Sequence, residues 1–199
     1  DNRRLRLILA RLLFEQGELE LARVQYDLVL QNSPNEGDVL FALALIAMEQ
    51  KNDDVAKRYF ERMLRWNRRP GEAHYYLGSI AERQADPTVA LREYREVGDG
   101  YEFVPAQARI ASILVNEGRW EEARAYLERM RLQRPSRRQQ LIVSEAQLLA
   151  DRGMEAEVSK LLDAALLADP ENVPLPSYRG IAAHTLLRTV IVDTPLQAM

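Results

Sequence analysis

The sequence predicts an all-α protein built as a solenoid of stacked antiparallel helix pairs. Three observations predict it. A self-similarity of roughly 34 residues runs along most of the chain, the mark of a repeat architecture. Within each repeat the apolar residues follow the 3.6-residue helical period rather than strand alternation. Small, large and Pro residues return together at fixed offsets inside the repeat.

Aligned on Pro34, Pro135 and Pro170 and on the turn glycines Gly17, Gly118 and Gly153, the units start near Arg3, Gly37, Gly71, Val104 and Gln139. A partial sixth starts at Val173, and the steps are 34, 34, 33, 35 and 34. The expected organisation is five helical hairpins over residues 3–172, then an incomplete unit and irregular tail over 173–199.

In the first unit, helix A covers roughly Arg3–Gln16, Gly17-Glu18 makes the turn, and helix B covers roughly Leu19–Asn32. Leu5, Leu9, Leu12 and Leu13 carry the helical period on A, and Val24, Leu28 and Val29 carry it on B. Pro34 ends the unit, because proline lacks the amide donor and clashes with the preceding turn. The second unit has Arg68 at the closing position, with Pro70 two residues late. The third has Glu102 there, in an irregular stretch around Gly98-Asp99-Gly100. The fourth and fifth close on Pro135 and Pro170. The sixth opens well, with Gly180 at a small position, but Pro176 falls inside its first helix and no second helix follows. Residues 189–195 read as extended. This end is either an irregular terminus or an apolar tail that lies in a groove, its own or a neighbour's, giving self-association.

Composition narrows the function. The 199 residues are 47% hydrophobic and 29% charged, as in ordinary globular proteins. The formal net charge of −3 argues against a globally basic nucleic-acid binder. The absence of cysteine removes disulfides, thiolate metal sites and Cys nucleophiles. No apolar run has the length of a membrane span. The chain opens on Asp1 rather than Met, and Asn2-Arg3-Arg4-Leu5 runs straight into a helical pattern, which reads as part of a longer protein. Of the 27 basic residues only Lys51, Lys57 and Lys160 are Lys; the rest are Arg, a bias common in GC-rich bacteria.

The repeat resembles the tetratricopeptide repeat family over about residues 3–183. The small residue of the family's eighth position is Ala10, Ala44, Gly78, Ala111 and Ala146. The Ala of its twentieth is Ala22, Ala56, Ala90 and Ala123, with Val158 departing in the fifth unit. The large residue of the twenty-fourth is Tyr26, Phe60, Tyr94, Leu127 and Leu162. Small side chains let two helices approach closely, and a large one there would overpack by about 1–3 kcal/mol. The resemblance implies a right-handed superhelix that binds a protein or peptide and needs no cofactor.

Catalysis has little to build on. His74 sits at a packing position and His184 stands alone near the C-terminus; neither has a second ligand at metal spacing, and no phosphate-binding or nucleophile motif is present. Glu121 and Glu122 are the acidic first turn of a helix, where negative charge suits the macrodipole. Two basic clusters, Arg65 to Arg69 and Arg129 to Arg138, fall at turns between units. Cations there satisfy helix C-termini, or they meet an acidic partner or nucleic-acid phosphate, the latter disfavoured by the acidic overall balance.

The resemblance also implies a concave face lined by the A helices. Carried onto this chain, the candidate partner-binding residues are Leu7, Arg11, Phe14, Phe41, Leu45, Met48, Glu49, Tyr75, Ser79, Glu82, Arg83, Ser112, Val115 and Asn116. Phe14, Phe41, Leu45, Met48 and Tyr75 would form an exposed apolar patch rimmed by charge, as partner-binding surfaces do; alternatively they contact the next helix. The clamp that some members use for chaperone C-termini is absent: its Lys and Asn are Leu7 and Arg11 here, and its later Lys and Arg are Glu72 and Tyr76. The Arg-rich units, with Glu121 to Ala125 and residues 161–172, look like proteobacterial outer-membrane lipoproteins that present substrates to a periplasmic carboxyl-terminal processing protease. That resemblance implies a periplasmic adaptor anchored through an upstream segment. The alternatives are a cytoplasmic protein, or the regulatory array of a larger enzyme; a lipobox or a catalytic domain upstream would discriminate.

Overall fold

The computed structural model describes residues 2–168. The incomplete sixth unit, His184 and the extended tail lie outside the described residues. Those described carry ten α-helices and one 3-10 turn, and they divide into two compact units at the Phe103–Val104 junction.

The first unit holds three helix pairs: α1 (Arg3–Glu15) with α2 (Leu19–Asn32), α3 (Gly37–Glu49) with α4 (Asp53–Arg65), and α5 (Pro70–Arg83) with α6 (Pro87–Arg95). Successive pairs stack, α2 on α3 and α4 on α5. The second unit holds α7 (Phe103–Asn116, which starts at the junction), α8 (Trp120–Gln133), the 3-10 turn Pro135–Arg137, α9 (Arg138–Ala150) and α10 (Glu155–Ala168). There α8 packs on α9, and α9 on α10.

The repeat positions do the work that their sizes suggest. Ala10, Ala44, Ala111 and Ala146 at the eighth position, and Ala22, Ala56 and Ala90 at the twentieth, are completely buried. Each pair closes over a large residue at the twenty-fourth, Phe60 at 0% exposure and Tyr94 at 1% among them. The cores run from each pair into the next: Tyr26 and Val29 of α2 pack with Val39, Leu43 and Ile46 of α3, and Phe60 and Met63 of α4 pack with Ala73, Leu77 and Ile80 of α5.

The A-to-B turn has one geometry in all five repeats. Gly17, Gly118 and Gly153 adopt positive φ there, at +80°, +77° and +69°. Lys51 and Ala85 occupy the same place in the second and third repeats at +58° and +56°, a conformation that costs a side-chain-bearing residue about 1–2 kcal/mol. Side-chain caps follow in those two repeats: Asn52 Oδ1 accepts the Val55 N–H at 3.3 Å, and Asp86 Oδ1 accepts the Val89 N–H at 3.0 Å. Helix α6 stops early at Arg95, and the irregular Gly98-Asp99-Gly100 stretch follows where the closing Pro is missing.

Candidate functional site, a groove between α1 and α3

A cleft of about 760 Å³ opens between α1 and α3 in the first unit. Its apolar floor includes Leu7 and Phe14 from α1 and Phe41, Ala42 and Leu45 from α3. Leu7 and Phe14 recur seven residues apart, two helical turns, and so share one face. Phe41 and Leu45 are four apart and do the same. The rim is charged: Arg4, Arg11 and Glu15 from α1, Glu36 and Asp38 at the start of α3, and Arg69 from the α4–α5 connection.

The floor residues are half-buried, not solvent-exposed as the sequence suggests. Leu7 and Phe14 rest one side on the α1–α2–α3 core, and Phe41 rests on the α3–α4–α5 core. Leu45 is half-buried and belongs to neither cluster, so its free side faces the cleft.

Arg69 closes one wall. It caps α5 in a left-handed conformation, φ +47°, rare for a residue other than Gly. Its guanidinium donates to Asp38 Oδ1 at 3.1 Å and to Glu72 Oε1 at 2.8 Å, and it lies 4.1 Å from the Phe41 ring centroid. Phe41 meets Tyr76 edge-on at 5.5 Å between ring centroids, and Tyr76 stacks on Phe60 at 5.4 Å. The aromatic ladder thus fixes the floor to the core behind it.

Tyr26 forms the base of the cleft and is 8% exposed. Burial pushes its phenol above the usual range; the Arg11 charge pulls it down and Glu15 pushes it up. The hydroxyl is therefore neutral and able to donate across the physiological range.

Of the residues singled out in the sequence, the cleft brings together Leu7, Arg11, Phe14, Phe41 and Leu45. The others are placed elsewhere. Met48 packs against the α3–α4–α5 core, and Glu49 is exposed at the end of α3. Tyr75 is half-buried between Tyr76 and Tyr94. Glu82 accepts the Tyr94 hydroxyl, and Arg83 forms a two-pronged ion pair with Asp53 at 2.6 and 3.2 Å. Ser79 is half-buried on α5. Ser112, Val115 and Asn116 belong to α7; Ser112 and Val115 are half-buried, and Asn116 Oδ1 accepts Arg152 at 2.6 Å. Arg69 and Tyr26 are among the cleft residues that sequence position did not assign to the site. Comparing the twelfth and twenty-fourth positions across repeats is the signal that finds Tyr26.

The basic clusters are partly absorbed by the fold. Arg69 of the first cluster is held by Asp38 and Glu72, and Arg131 of the second pairs with Glu145, whose side chain is almost wholly buried; Arg62, just before the first cluster, donates to the Pro34 carbonyl of the preceding turn. His74 Nδ1 lies 2.9 Å from Glu93 Oε2, linking α5 to α6. Among the described residues no group of three or more His, Asp or Glu is placed to hold a metal ion, and no helix is long and apolar enough to cross a membrane.

A family model described as tetratricopeptide repeat matches residues 41–102. Over 123 residues, 57% of this chain, the sequence is 34% identical to the TPR repeat-containing protein PA4667 of Pseudomonas aeruginosa, of whose length the chain spans 21%. Among solved structures the chain is similar to pilF of Pseudomonas aeruginosa (TM-score 0.61, 17% identity, covering 96% of this chain and 91% of that one). It is also similar to MamA (0.59, 15%, covering 99% and 98%) and to YrrB, described as a TPR protein with an unusual peptide-binding site (0.54, 22%, covering 92% and 90%). The fold is therefore an all-α solenoid of the tetratricopeptide type, and these likenesses support that family.

Proposed function

We propose that this chain is a protein-interaction scaffold whose α1–α3 cleft takes a segment of a partner protein. The observation that carries the reading is the floor of the cleft: Leu7, Phe14, Phe41 and Leu45 converge from two helices, stay half-exposed and are rimmed by charge. Burying a Phe-sized side chain stabilises a complex by about 1.5–3 kcal/mol. Three or four such contacts, less the ordering cost of binding, give roughly micromolar affinity. The finer reading is an adaptor that presents substrates to a periplasmic carboxyl-terminal processing protease, held at the bacterial outer membrane. Its support is the resemblance of the Arg-rich units, together with a repeat-containing relative from a proteobacterium.

Site-specific photocrosslinking tests the reading. A photoreactive amino acid at Leu45 should capture a discrete partner in cells, whereas one at exposed Lys57 on α4 should not. Equal capture at both places would remove the cleft as the docking site. For the finer reading, the species captured should include a protease from the envelope fraction; capture confined to cytosolic proteins would reject it.

A further inference from the structure

The cleft has an unanswered donor at its base. In the third repeat the Tyr94 hydroxyl donates to Glu82 on the facing helix. Tyr26 holds the place of Tyr94 two repeats earlier, but the place of Glu82 is taken by Phe14. The first repeat has thus lost the internal acceptor and kept the donor. Tyr26 is more than nine-tenths buried and lines the cleft, and among the described residues its hydroxyl has no hydrogen-bond partner. Its oxygen is not sealed from solvent, since among the described residues no fully enclosed side-chain oxygen or nitrogen lacks a partner. Tyr26 lines the cleft, and the charges that act on its hydroxyl, Arg11 and Glu15, are both cleft residues.

Two guanidiniums extend this donor set. Arg4 and Arg11 line the same wall, and neither forms an ion pair within 4 Å among the described residues. The acids nearby are mostly engaged: Glu36 with Arg3, and Asp38 with Arg69. Glu15 alone offers the cleft an acceptor with no such pairing. Arg4 and Arg11 are seven residues apart, about 10 Å along the helix. Leu7 lies between them on the same face.

We infer that the cleft reads acidic-apolar segments: an internal stretch of a partner that sets apolar side chains on Leu7, Phe14 and Phe41, offers an Asp or Glu carboxylate to the Tyr26 hydroxyl and Arg11, and brings a second carboxylate about 10 Å away to Arg4. This rests on the reading of the cleft as the docking site and names the chemistry it recognises. A chain terminus brings its carboxylate to one point, whereas the donors here span two helical turns. Carboxylates about three residues apart in an extended segment match that span. Charge-assisted hydrogen bonds to a carboxylate are roughly twice as strong as neutral ones, so the donors supply selectivity while the floor supplies area.

The test is selection of a phage-displayed library of random segments, fused so that no free carboxyl terminus is presented, on the purified chain and on its Arg11→Gln, Tyr26→Phe and Leu45→Glu forms. Phe60 fills the equivalent place in the second repeat, so Tyr26→Phe keeps the packing. Melting curves check all three. The parent chain should enrich segments with Asp or Glu beside aliphatic and aromatic residues. Capped synthetic versions should lose about tenfold in affinity on Arg11→Gln or Tyr26→Phe. Counterparts with Gln for Glu should change less than about twofold. Enrichment without acidic bias, or of basic segments, that still vanishes on Leu45→Glu overturns this inference and leaves the cleft as docking site. Enrichment indifferent to Leu45→Glu, or none at all, overturns both.

Discussion

At the scale of single residues, Gly78 shows how one position is fixed by its neighbour. A Cβ there would lie 2.7 Å from Cε1 and 2.8 Å from Cδ1 of Tyr94, a ring 1% exposed and tied by its hydroxyl to Glu82. Ala in a helix is normally favoured over Gly by about 1 kcal/mol. Overpacking costs about 1–3 kcal/mol and wins here, so Gly78→Ala should lower the melting temperature. Adding Tyr94→Leu should recover much of the loss, because the fourth repeat pairs Ala111 with Leu127 at the same places. A rise in melting temperature for the single variant would mean that the ring can move aside. Glu93 gives a pH signature. Burial pushes its carboxyl up, but the hydrogen bonds from His74 and Arg92, with their charges, hold it below its ordinary value of 4.5. A depressed carboxylate stabilises the fold fully above its ordinary value, and the gain fades as pH falls through the lower folded value. Chemical denaturation should therefore show Glu93→Gln to be less stable than the parent at neutral pH, with the gap narrowing as the pH falls below the ordinary value of 4.5. A gap that is constant with pH would assign Glu93 a packing role alone.

At the scale of elements, α1 and α3 have matching sequence registers and opposite burial. Leu5, Leu9 and Leu12 of α1 are 65%, 45% and 49% exposed, whereas Val39, Leu43 and Ile46 at the same places in α3 are 1%, 1% and 0% exposed. The difference is α2, which covers α3 and has no counterpart over α1 among the described residues. Leu43→Ala should cost about 2–5 kcal/mol, and Leu9→Ala within about 0.5 kcal/mol. Amides of α1 should also exchange before those of α3; similar costs for the two Leu would show that α1 is covered in solution. Helix boundaries were legible because period, turn glycine and Pro coincide, and the α1 and α2 ranges agree with the sequence reading to a residue. The left-handed turns at Lys51 and Ala85 were not, since neither residue type announces positive φ. Nor was the engagement of Met48, Glu82 and Arg83. A repeat position tells which wall a side chain stands on, whereas Asp53, Tyr94 and the α5 core decide whether it is already occupied.

At the scale of the whole molecule, the fold does not name the function, and the proposed role as a scaffold rests on the surface that the repeats shape. That surface concentrates in the first unit, where the apolar floor, the Arg69 wall and the Tyr26 hydroxyl meet. Leu45 is the residue that separates surface from core: half-buried, on the cleft floor, and outside the clusters on either side. A charge placed there meets an incoming apolar segment and little of the protein's own core. The most direct measurement is therefore partner binding and thermal unfolding of Leu45→Glu on the same preparation. Binding should fall beyond detection while the melting temperature stays within a few degrees of the parent. Undiminished binding would contradict the cleft as docking site, and a collapsed melting curve would show that Leu45 is a core residue.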